Sequence, residues 1–166
     1  MNRYLNITTG AAGIWWSSVL FIWASISDPH QDGISFELAG TEISQTMVLT
    51  PAIVILVALI ARYRKTPNQI MLFAALVGLW SAYLSFTLNP AASPAAIDGL
   101  EKLTGIAGTI GVATSTLAPS AYLVLSLLVT ITSVMAAFAK PSERKKPAAA
   151  DEDEPSDPKS LWDSQK

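Results

Sequence analysis

Residues 43–61 read ISQTMVLTPAIVILVALIA, nineteen residues between Glu42 and Arg62 without one charged side chain. A helix needs roughly 20 apolar residues to cross about 30 Å of hydrocarbon, so this stretch is long enough for one span. Three more stretches share the property: residues 4–27, 66–97 and 103–139 contain no Asp, Glu, Lys or Arg. Every charged side chain lies outside them, in the gaps between them or near the two ends of the chain. The pattern predicts an all-α membrane protein, a bundle of four transmembrane helices at about 5–27, 44–61, 69–88 and 119–139 within residues 1–140. Overall composition, 51% hydrophobic and 14% charged, is pulled towards that of a soluble protein by the polar end of the chain.

Lys and Arg near span ends favour the cytoplasmic side. Arg3 precedes the first stretch, Arg62, Arg64 and Lys65 lie between the second and third, and Lys140, Arg144, Lys145 and Lys146 follow the fourth. The two alternate gaps, 28–42 and 89–118, contain only Lys102. Both termini are therefore expected in the cytoplasm, with two loops outside, at the cell membrane. A cleaved signal peptide is the competing reading of residues 1–27, because Ser25 and Ser27 are small enough for a cleavage site. Against it, the uncharged run exceeds a signal core of roughly 7–15 residues.

Trp15 and Trp16 fall near mid-membrane in the first expected span, where an indole packs between helices with its N–H on a Ser or Thr. Trp80 and Tyr83, three residues apart in the third, nearly share a face. Together Trp15, Trp16, Trp80 and Tyr83 form a candidate intramembrane aromatic pocket, set against ordinary core packing. Gly13 and Ser17 make a small face for close helix approach, and Ser126, Thr130 and Ser133 a second seam in the last helix. Pro51 inside the second helix requires neighbouring groups to satisfy the carbonyl it frees. Pro119 is expected to open the fourth.

In the first outer loop, Ile34, Ser35, Phe36, Glu37 and Leu38 alternate before Gly40, which predicts an extended segment or small hairpin. Asp28, His30 and Asp32 are donor types for a divalent cation, but Pro29 and Gly33 mark a turn where Asp serves the backbone, so no metal site is expected. Asp98 to Leu103 can form an amphipathic turn, and Gly105, Gly108 and Gly111 suggest a loop; whether 103–118 is loop or helix stays open.

Residues 141–166 combine low hydrophobicity with high charge and are expected to be a disordered cytoplasmic tail. The basic residues at 140–146 would lie against anionic lipid. Leu161, Trp162 and Asp163 stand out in this polar tail as a candidate docking motif for a membrane or cytoplasmic protein partner.

The spans contain no ionisable side chain of the kind that marks ion paths. His30 is the single histidine and there is no cysteine, so nucleophilic and general-base arrangements lack parts. No catalytic residue and no cofactor is expected, and no nucleic-acid partner. Asp28, Asp32, Glu37 and Glu42 could supply carboxylates outside, but clustered acids in a turn are usually solvated. The partners expected are the lipid bilayer and a protein docked through the tail.

The order of parts includes an N-terminal helix with tryptophans, an outer loop ending in Gly40, Thr41 and Glu42, and an aliphatic second helix. A basic turn, two further helices and a tail with Leu161, Trp162 and Asp163 complete it. This layout resembles the tryptophan-associated transmembrane protein family, actinobacterial proteins often encoded beside tryptophan-biosynthesis genes. Residues 140–158 stand where that family carries a Met-Gly-x-Arg-Tyr patch, and Ser164, Gln165 and Lys166 where it carries an acidic ending. The resemblance implies a multi-pass accessory protein linked to tryptophan metabolism. The alternative is a small oligomeric carrier or exporter of a tryptophan-related metabolite.

Overall fold

A computed structural model describes residues 3–31, 33–63 and 68–139. The chain begins with helix α1 (Arg3–Ser17), a 3-10 turn (Ser18–Leu20), strand β1 (Ile22–Ser27) and strand β2 (Ser35–Ala39). A one-turn helix α2 (Gly40–Ile43) leads into α3 (Gln45–Tyr63), which is followed by α4 (Asn68–Thr87). A second 3-10 turn (Pro90–Ala92), helix α5 (Pro94–Thr104), strand β3 (Val112–Ser115) and helix α6 (Ala118–Phe138) complete it.

The first expected span is corrected by this order. Instead of one helix over 5–27, the helix stops at Ser17 and the chain becomes a strand at Ile22. The other three helices lie close to their apolar stretches. With 19, 20 and 21 residues at about 1.5 Å each, α3, α4 and α6 are roughly 28–32 Å long. All three are long and apolar enough to cross a membrane. Only 39%, 33% and 39% of their most apolar windows are buried, so most of that apolar surface faces outward, where a water-soluble helix would place polar residues.

β1 is the centre of an antiparallel sheet ordered β2-β1-β3. Ile26 lies opposite Phe36 and Ala113, and Ala24 opposite Leu38 and Ser115. One sheet face is therefore apolar, and α5 covers it. Gly99 of α5 sits against the Phe36 ring, while the buried Leu100 approaches the same space as Ile26 beside Gly111. Ser93 caps α5 by accepting Ala96 N–H at 3.2 Å, and Gly105 ends it with φ +73°.

Because the three strands are neighbours, the chain leaves α1, enters α3 and enters α6 at the sheet end. α1 and α4 run towards the sheet and α3 and α6 away from it. Packing of α1 on α3, α3 on α4, α4 on α6 and α6 on α1 closes a ring of alternating direction. Its centre holds the fully buried Met47, Val54, Met71, Ala74 and Val129. Charge is segregated by end. Asp28, Glu37, Glu42, Asp98 and Glu101 lie at the sheet end with Lys102, and Arg3 and Arg62 at the opposite one.

The small-residue seams are divided differently from the expectation. Gly10 and Gly13 face open space, with nothing within 4 Å of a built Cβ. Close approach occurs instead at Gly78 of α4, where a Cβ would stand 2.5 Å from Thr130 Oγ1 and 3.2 Å from the Ser126 carbonyl. Ser126 and Ser133 on the same side of α6 are fully buried.

Candidate functional site: a sealed helix break above an aromatic and hydroxyl core

A helix end leaves up to four carbonyls without helical partners, and where water is absent side chains must supply them. Side chains at the end of α1 supply part of this requirement. Ser17 Oγ donates to the Ile14 carbonyl at 2.7 Å and Ser18 Oγ to that of Trp15 at 2.6 Å. Trp23 Nε1 donates to the Ser18 carbonyl at 3.0 Å. Beyond the 3-10 turn, Gly40 N–H bonds the Phe21 carbonyl at 3.3 Å, Thr116 Oγ1 the Ile22 carbonyl at 2.6 Å, and Thr116 N–H the Trp23 carbonyl at 2.9 Å.

This seal explains part of the Gly40, Thr41, Glu42 sequence. A Cβ at position 40 would lie 2.6 Å from Trp23 Nε1 and 2.9 Å from the Val19 carbonyl, so only glycine admits the indole here. Glu42 reaches back, its Oε2 accepting Ala39 N–H at 2.9 Å.

Below the break lies Tyr122, one turn into α6 and fully buried. Its ring is 5.3 Å from Trp15 and 5.1 Å from Trp23, the latter edge-on at 66°. Both geometries are in the favourable range for aromatic pairs. Its hydroxyl enters a cluster with Thr50 Oγ1 at 3.0 Å and Ser81 Oγ, which are themselves 2.9 Å apart. It also bonds the Met47 carbonyl at 3.0 Å. Pro51 has no N–H, so Met47, four residues earlier, has lost its helical donor. Tyr122 replaces that donor from another helix, alongside a longer bond from Thr50 Oγ1 at 3.5 Å.

The cluster thus joins α3, α4 and α6 through three neutral hydroxyls, each with one proton to give. Nothing in it is a carboxylate, an imidazole or an amine. Its chemistry is cohesion between helices.

The four aromatic residues singled out from the sequence do not converge. Trp15 is fully buried beside Tyr122, and its Nε1 has no hydrogen-bond partner among the described residues, contrary to the expected Ser or Thr bond. Trp16 faces outward, 48% exposed, over a groove with Ala52, Ile55, Leu56 and Leu59. Trp80 and Tyr83 pair at 5.7 Å on the outer side of α4, in a groove of about 640 Å3 with Leu76, Leu79, Ala82 and Phe86. Leu161, Trp162 and Asp163 lie outside the described residues, as does Asp32. The Asp28 carboxylate serves its own turn, Oδ1 accepting His30 N–H at 2.8 Å.

Sequence reasoning missed Trp23, Thr50, Ser81 and Tyr122 as a unit. The available signal was Pro51, whose freed carbonyl demands a donor, with Tyr122 the one aromatic hydroxyl in the last apolar helix. No protein-family model, no curated protein and no solved structure matches this chain.

Proposed function

We propose that this chain is a four-span protein of the cell membrane with both termini in the cytoplasm and the sheet outside, acting as a non-catalytic accessory that docks a partner. In this reading α1 and its 3-10 turn form a short first span of about 28 Å. Arg3, Arg62 and the basic residues after α6 hold the cytoplasmic side, and the acidic sheet end lies opposite. Residues 161–163 are the proposed contact for the partner. In this reading the link to tryptophan metabolism rests on the resemblance of layout alone.

The observation that carries this reading is the filled interior. Trp15, Trp23, Tyr122, Met47 and Val129 are at most 1% exposed, and the hydroxyls of Tyr122, Thr50 and Ser81 bond one another. A core of this kind supports a rigid membrane anchor better than a solute path. Affinity capture of the full chain, with and without residues 155–166, tests the docking role. Loss of specific partners on truncation is expected, and identical partner sets would contradict it.

One feature favours the carrier as a second reading. The Trp80–Tyr83 pair forms half a pocket that another protomer can complete. Vesicle uptake of labelled tryptophan and indole tests it, and rates equal to those of empty vesicles end it.

A further inference from the structure

Where α1 ends and α6 begins, the side of the bundle carries a recess of about 550 Å3, within the roughly 300–1,000 Å3 of ligand sites. Its walls are formed by Ile14, Phe21, Ile22, Leu117, Ala121 and Leu125. Ala121, with Ala118 beside it, leaves the floor low, while Phe21 and Leu117 stand at the rim, 63% and 85% exposed. We infer that this recess seats one hydrocarbon chain of a phospholipid from the leaflet at the sheet end; the inference rests on the membrane reading above.

Three observations select that occupant. No charged residue lines the recess, and its hydroxyls, those of Ser17, Ser18 and Thr116, donate to the carbonyls of Ile14, Trp15 and Ile22. A polar metabolite would therefore find no free hydroxyl proton. Along the α6 axis the recess runs from Leu117 to Leu125, about 12 Å, which is too short to seat a partner helix of membrane length. It is also continuous with the outward apolar face of α6, where Val124 and Ile131 are 62% and 58% exposed, so hydrocarbon reaches it directly.

The break in α1 thereby acquires a role. Ending the helix at Ser17 and sealing its carbonyls inward creates an apolar notch that an unbroken helix would have filled.

The test uses the full chain in phosphatidylcholine vesicles doped with a phosphatidylcholine carrying a photoactivatable diazirine on its acyl chain. Adducts mapped by peptide mass spectrometry should concentrate on Ile14, Phe21, Leu117 and Leu125. Leu56, Leu76 and Ile131, about as exposed as Ile14 and Phe21, serve as outward controls. Ala121→Phe, or Ala118→Leu if the first variant fails to fold, should remove the concentrated adducts and leave the controls labelled. Labelling in proportion to exposure, unchanged by filling the recess, overturns the inference while leaving the membrane reading intact. Absence of label from the controls as well overturns both.

Discussion

Tyr122 donates its hydroxyl proton to the carbonyl of Met47 at 3.0 Å, the oxygen that Pro51 deprives of its own helical donor. The proline and the tyrosine thus form a pair across two helices. Tyr122→Phe should lower bundle stability by about 1–2 kcal/mol, because it leaves the Met47 carbonyl with only the longer bond from Thr50 Oγ1 at 3.5 Å. In a Pro51→Ala background residue 51 regains its N–H, so the same substitution should cost clearly less. Unfolding of all four variants in bicelles, followed by tryptophan fluorescence, measures the cycle. Equal costs in both backgrounds would remove the pairing argument.

Two buried indoles should respond to different degrees. Trp23 Nε1 bonds the Ser18 carbonyl, whereas Trp15 Nε1 has no partner among the described residues. Trp23→Phe should destabilise by about 2–4 kcal/mol, combining lost volume with an unpaired carbonyl. Trp15→Phe should cost at least about 1 kcal/mol less, because an unmet polar group leaves with the ring. Thermal midpoints of the two variants in one detergent decide the order.

Glycine substitutions separate the seam that packs from the one that does not. Gly78→Ala drives a Cβ into Thr130 Oγ1 and should cost about 1–3 kcal/mol. Gly13→Ala enters open space inside a helix and should be neutral or stabilising by up to about 1 kcal/mol. A stable Gly78→Ala protein with an unstable Gly13→Ala one would mean that α4 and α6 do not cross where described.

Much of this architecture was readable because α3, α4 and α6 are locally determined: an uncharged aliphatic run of sufficient length needs no tertiary partner to be recognised. Pro119 and Asn89–Pro90 mark helix limits for equally local reasons. The end of α1 was hidden because Ile22 to Ser27 serves two faces at once. Trp23 turns towards Tyr122 and Ile26 is buried on the opposite face, so the strand's period of two is masked by apolar residues on both sides. Its partner Val112 is 85 residues away from Ser27. The aromatic cluster was illegible for a similar reason. Trp15, Trp23 and Tyr122 come from three elements, and only the sheet's pairing brings Trp23 back over the bundle.

The central claim is that these helices lie in lipid with the sheet on the outer side. The chain has no cysteine, so single-cysteine variants report position without background. Glu37→Cys and Asp98→Cys at the sheet end, and Arg3→Cys and Arg62→Cys at the opposite end, should be treated on intact cells with a membrane-impermeant maleimide. Labelling of positions 37 and 98 on intact cells, with 3 and 62 reacting only after permeabilisation, is the predicted result. Labelling of both ends on intact cells, or recovery of the protein from the soluble fraction, would contradict the account.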